Sequence, residues 1–371
     1  MKIAINLLPY RELGGIVVYA HNILKVLGEL DNQNQYYLIC SKKILPELIF
    51  NFKNFRYIKT SLNPFSGIQR VVFEQIFVPR ILKKYQIDLL YNLSVSSSIF
   101  LPSKTIITIH DCTYKRFRKK KSFGALLYMK TMFYLLPKIA KKVITVSEFT
   151  KEELIRLYGV SPFKIKVIRE AVPKMSSPSI PREDLQKKFN IKKPYFFWIG
   201  VSMPWKNIPR LIKAFKKFTE KNDDFSLILA GELSAQEKEQ IQREKNIVFL
   251  GKVSEKEKIA LFLNSFALIF PSLYEGFGLP VLEAQSLGVP VLTSNVASLP
   301  EVAGRGALFV DPYNIEDIAR GMQRIATDKE LREKLVQEGY KNIKRFSWER
   351  AAKELLEVFK EVYYEKNSPN K

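Results

Sequence analysis

The 371-residue chain is poor in the residues that build small-protein staples and metal centres: it has two cysteines and two histidines. Cys40 and Cys112 cannot make a disulfide framework and suit a reducing, cytoplasmic compartment. With His21 and His110 at scattered positions, they form no metal-ligand cluster. No run of about 18 apolar residues occurs, which argues against a spanning helix. The start, Met1 to Leu8, is too short and too quickly polar for a signal peptide and reads as a buried strand. Neither G-x-x-x-x-G-K-[ST] nor G-x-G-x-x-G is present, nor an Asp-x-Asp pair to hold a cation. Acidic residues are also scarce, 37 against 60 basic, for a net charge of +23.

An apolar content of 46% and an aromatic content of 12% fill a substantial core, so the chain folds, and its length suits two domains. The charge is lopsided: residues 1–175 carry 29 basic and 11 acidic side chains. Such asymmetry speaks of an anionic partner, either nucleic acid or a membrane face. The run Lys115-Arg116-Phe117-Arg118-Lys119-Lys120-Lys121 decides between them. No DNA- or RNA-binding module accompanies it, whereas Phe117, Phe123, Leu126 and Leu127 supply shallow apolar insertion beside the cations. Each basic side chain near an anionic surface is worth about 1 kcal/mol. The expectation is peripheral attachment at the cytoplasmic membrane face through Arg116 to Lys121, and no nucleic acid.

Strand-like apolar runs alternate with helical stretches along the whole chain. Tyr36–Cys40, Phe55–Lys59, Asp88–Asn92, Thr105–Ile109 and Ile165–Ile168 predict strands in the first half, with a helix over Gln69–Tyr85. Tyr195–Gly200, Leu227–Gly231, Ile247–Gly251, Ala267–Phe270 and Val289–Thr293 predict strands in the second. The Pro- and Ser-rich stretch Pro173 to Pro181 reads as a linker. The pattern predicts two doubly wound α/β domains.

Four places suggest a site. Gly14-Gly15 precedes a helix at the carboxyl end of the first strand, where a ligand can approach the backbone. His110 ends another strand, and Lys206 stands just ahead of a helix. The fourth, Pro271 to Ala284, reads strand, loop, helix: Glu275-Gly276-Phe277-Gly278-Leu279-Pro280 turns into a helix carrying Glu283. A helix N-terminus offers unpaired N–H groups to phosphate, and Pro280 suits its first turn.

This last stretch resembles the donor-site signature of the retaining glycosyltransferases of family 4, which have the GT-B fold. The resemblance is strong in the second half and looser in the first. It implies an acceptor-binding domain over 1–175, a nucleotide-sugar domain over 182–346 and a final helix, 347–371, crossing back to the first. It further implies a hexosyltransferase using a nucleotide diphosphate-sugar and no cofactor or metal, while the charge pattern points to a lipid-linked glycan or cell-surface polysaccharide intermediate as the acceptor. By the same resemblance Lys206, Phe277, Gly278, Leu279, Gly14 and Gly15 attend the diphosphate, Glu283 the ribose, and Glu275 and His110 the donor sugar. Two departures stand out. Relatives often have an arginine where this chain has Val201 or Trp205, leaving Arg210 or backbone to complete the phosphate clamp. Many also have Pro-Asn-Gly where this chain has Arg169-Glu170-Ala171. A sugar-nucleotide epimerase and a non-catalytic nucleotide-sugar-binding protein at the membrane are the alternatives; the donor sugar, base, linkage and oligomeric state are not legible.

Overall fold

The computed structural model describes residues 1–9, 14–61, 67–100, 104–116, 123–172, 175, 180–191, 193–242 and 244–365. The chain divides into two compact units, Met1–Glu170 with Ser347–Lys371, and Ala171–Phe346.

Among the described residues, unit one holds seven parallel strands: β1 (Lys2–Asn6), β2 (Gln35–Cys40), β3 (Phe55–Lys59), β4 (Leu89–Asn92), β5 (Thr105–Ile109), β6 (Lys142–Thr145) and β7 (Ile165–Val167). Their order is β3-β2-β1-β4-β5-β6-β7. Strands covered on both faces need continuous apolar runs, and Ile3-Ala4-Ile5 and Ile106-Ile107 meet that need with no exposure. The order reverses between β1 and β4, so the carboxyl edge there is a topological switch point, where open α/β sheets take ligands. The final helix, Trp348–Tyr364, belongs to this unit. Ser347 caps it by accepting from Arg350 N at 3.3 Å. Its buried stripe, Trp348, Ala352, Leu355, Phe359 and Val362, sets Trp348 edge-on to Tyr19 and Phe359 edge-on to Tyr91.

Unit two holds β8 (Tyr195–Val201), β9 (Ser226–Glu232), β10 (Ile247–Gly251), β11 (Ala267–Phe270), β12 (Val291–Ser294) and β13 (Leu308–Val310). All are parallel, in the order β10-β9-β8-β11-β12-β13. The switch point lies between β8 and β11. Glycine is required at 231: its φ is +112°, and a Cβ there would meet Gly200 O at 1.9 Å.

The strand expected over Val289–Thr293 starts two residues later. Gly288 has φ +68° and Pro290 has no N–H to give a ladder, so the turn runs on to Pro290. The helices Arg182–Phe189, Ala235–Gln242, Glu255–Leu263 and Lys329–Ile343 were not anticipated from the pattern. Three lie on mostly polar stretches, and in Glu255–Leu263 the apolar residues are consecutive, so periodicity is weak in all four. The segment read as a surface strip after the basic run is a helix, Phe123–Ile139, whose Met132, Phe133 and Leu136 enter the core of unit one.

Candidate active site

In unit two the loop after β11 is tied down at both ends before it reaches its helix, Leu279–Ser286. Thr293 Oγ1 donates to Phe270 O at 2.9 Å and Ser294 Oγ to Ser272 O at 2.6 Å. Ser298 Oγ lies 2.9 Å from Glu275 O and 2.8 Å from Phe277 O, so one buried hydroxyl holds the middle of the loop. Gly278 caps the helix with φ +109°, and a Cβ there would meet Leu299 Cδ2 at 2.8 Å. Only glycine serves at that turn.

The loop after β8 meets this one. Asn207, in a left-handed conformation at φ +63°, donates its amide to Pro271 O at 2.9 Å and Pro312 O at 2.7 Å. Leu273 N donates to Trp205 O at 2.7 Å. These bonds carry Lys206 to Glu275: Nζ donates to Oε1 at 2.6 Å, and also stands 5.0 Å from the centre of the Phe270 ring. Both side chains are largely buried. The pair places a cation and a carboxylate side by side at the carboxyl edge of the sheet, next to a helix N-terminus. Such an array can neutralise a diphosphate and accept from sugar hydroxyls.

Glu283, on the helix, is 8% exposed and accepts from Lys258 Nζ at 2.7 Å. Burial pushes the Lys258 ammonium down, but Glu283 and Glu255 outweigh it and the net direction is up. Lys258 escaped the sequence reading, because it lies 25 residues from Glu283 on an unanticipated helix. Of the departures, Trp205 is buried and Val201 half exposed. Arg210 donates to Asn207 Oδ1 at 3.1 Å and lies over the Tyr313 ring.

In unit one, Gly14 caps the helix Gly15–Leu30 at the carboxyl side of β1. A Cβ at Gly14 or Gly15 would meet nothing within 4 Å, so packing among the described residues does not demand glycine there. His110 follows β5 with Nδ1 3.1 Å from Glu170 Oε1 and Nε2 3.0 Å from Leu93 O. Tyr19 stands edge-on to its ring; burial pushes that phenol up to about 12, partly offset by hydrogen bonds with Tyr91 and Thr108. Asp111 accepts from Thr113 N at 2.9 Å, ahead of the short helix Thr113–Arg116. A buried polar group that the sequence did not announce sits at the switch point. Asn6 Nδ2 and Ser96 Oγ donate to Glu74, whose carboxyl burial pushes upward.

The structure thus joins Lys206 to Glu275, and sets Phe277, Gly278, Leu279 and Glu283 on the adjoining loop and helix. His110, Gly14 and Gly15 belong to the other unit. Of the basic run, Arg116 ends the helix Thr113–Arg116, and Phe117, Arg118, Lys119, Lys120 and Lys121 lie outside the described residues.

Two family models match the chain: Glycosyltransferase Family 4 over residues 13–173 and Glycosyl transferases group 1 over residues 181–342. O-antigen chain mannosyltransferase B of Escherichia coli is 32% identical over 276 residues, 71% of this chain and 72% of that protein. The serotype-specific mannosyltransferase WbdA of the same organism is 27% identical over 284 residues, 72% of this chain but only 35% of that longer protein. Among solved structures, Anabaena HepE in complex with UDP-glucose superposes with a TM-score of 0.74, covering 97% of this chain and 100% of that one at 16% identity, a likeness of fold.

Proposed function

The chain belongs to the group 1, family 4 glycosyltransferases, and on that premise we propose that it transfers a hexosyl residue from a nucleotide diphosphate to a growing glycan. Mannose is the sugar the relatives' names favour, and a lipid-linked or cell-surface polysaccharide intermediate is the acceptor class. The observation that carries the proposal is the Lys206–Glu275 pair held beside the Gly278-capped helix.

The roles follow from charge. As the glycosidic bond breaks, positive charge grows on the sugar and negative charge on the diphosphate. Lys206, the N–H groups about Phe277, Gly278 and Leu279, and the Gly14-Gly15 loop stabilise the departing phosphate. Glu275 accepts from sugar hydroxyls, Glu283 from the ribose, and His110 orients the sugar near the anomeric carbon. Transfer proceeds with retention, the leaving phosphate itself taking the acceptor's proton on the same face. No divalent cation is needed, a proposal that rests on the missing Asp-x-Asp pair. Attachment to the cytoplasmic membrane face through Arg116 to Lys121 completes the proposal; among the described residues no helix is long and apolar enough to cross a membrane.

A thermal-shift panel of UDP, GDP, ADP and TDP and their sugars, on wild type and Glu283→Ala, tests the donor site. One nucleotide series should stabilise the wild type and lose its effect in the variant. Donor consumed without acceptor points to an epimerase, and binding without turnover to a sensor; either overturns the transferase. Activity abolished by EDTA and restored by Mg²⁺ overturns metal independence.

A further inference from the structure

His110 offers two ring nitrogens, and both face oxygen. Nδ1 lies 3.1 Å from the carboxylate oxygen of Glu170, and Nε2 lies 3.0 Å from the carbonyl of Leu93. A neutral imidazole carries one N–H, and a carbonyl oxygen only accepts. Nε2 must therefore donate to Leu93 O. The contact at Nδ1 then needs a second proton, either on the ring or on Glu170. Glu170 is 4% exposed, so water competes little for this contact. The Tyr19 ring at 4.8 Å closes one side of the imidazole. Thr150 Oγ1, donating to the His110 carbonyl at 3.4 Å, steadies the backbone.

We propose that Glu170 is the positioning residue for His110. It anchors Nδ1 so that Nε2–H is the end that leaves Leu93 O and donates to a hydroxyl of the transferred sugar. An anchored ring can turn one donor outward without losing its orientation, and holding a catalytic group in line is worth up to about 100-fold in rate. The carboxylate stands at position 170, just past the end of β7. The inference rests on the reading of His110 as the group that touches the donor sugar.

With only two histidines in the chain, imidazole ¹⁵N spectra of histidine-labelled full-length protein resolve His110 directly, His21→Ala assigning the other. Glu170→Ala and the similarly long Glu170→Met should move the His110 ring signals toward a tautomer mixture. Glu170→Gln, whose amide N–H can donate to Nδ1 while Nε2–H is kept, should keep a single hydrogen-bonded form. Turnover of GDP-mannose and UDP-glucose, read as nucleotide release, should fall 10- to 100-fold in kcat for Glu170→Ala with donor KM little changed, and recover in Glu170→Gln. Glu170→Ala in a His110→Ala background should cost nothing further. Unmoved ring signals in Glu170→Ala, or losses that multiply in the double variant, overturn the role of Glu170. Full activity in His110→Ala overturns the reading of His110 itself, whatever the spectra say of Glu170.

Discussion

At the scale of single residues, the donor site depends on one ion pair. Lys206 and Glu275 lie 69 positions apart and meet at 2.6 Å because Asn207 and Trp205 lash their two loops together, while Ser298 holds the middle of the second. They satisfy each other, so neither carries an uncompensated buried charge. In the proposed transfer the ammonium serves the diphosphate and the carboxylate the sugar. Removing a preorganised group that stabilises developing charge costs about 10²- to 10³-fold in rate. Lys206→Ala should lose kcat on that order while the thermal shift by donor persists through Glu283, as turnover and melting measured side by side will check. A Lys206→Ala enzyme at full kcat would remove this residue from the chemistry.

Elements bring these residues to the edge of the sheet, and their caps do part of the holding. The helix Glu255–Leu263 carries Lys258 to Glu283, and it begins with a reciprocal capping box. Ser254 accepts from Glu257 N at 3.3 Å, while Glu257 accepts from Ser254 N at 2.7 Å. Lys188 also donates to Glu257, and its hydrogen bond with the two from Ser254 holds that carboxyl at about 2, below its ordinary 4.5. The folded pKa is depressed, so the stability this group contributes is complete above about 4.5 and is lost as pH falls toward 2. Melting followed from pH 6 to pH 2.5 should therefore show a gap between wild type and Glu257→Gln that closes on acidification. A gap of constant size would mean that the cap does not titrate. Ser254→Ala should cost about 1 kcal/mol at pH 7 by the same melts.

For the whole molecule, the last helix is a structural member of unit one although it follows unit two in the chain. Phe359 against Tyr91 and Trp348 against Tyr19 bury large apolar surface, and Lys142 binds Glu361 at 2.7 Å. Each fully buried side chain of this size is worth about 1.5–3 kcal/mol. Truncation after Phe346 should thus raise hydrogen exchange in β1 and β4 and leave β8 and β11 protected; equal loosening of both sheets would contradict that assignment. The excess positive charge also acts at this scale. Flotation with anionic but not neutral vesicles, lost on Lys119/Lys120/Lys121→Ala, is the expected outcome, and flotation unaffected by the substitutions would place attachment elsewhere.

The alternation of apolar runs and helical stretches determined most strands of both sheets, though not their order, since a strand buried on two faces must read as apolar and a capped turn must use the residues its geometry allows. Pro280 in the first turn and Gly278 before it were legible for that reason. Polar helices such as Lys329–Ile343 were not, because their apolar periodicity is weak, although Asp328 caps that one by accepting from Leu331 N. The site residues were legible as types at loop ends, not as partners. That Glu283 meets Lys258, that Lys206 meets Glu275, and that His110 leans on Glu170 were decided by tertiary structure alone. Each pair joins residues 25 to 69 positions apart, in loops or on the helices that follow them, and the crossover connections of parallel sheets bring such distant positions together.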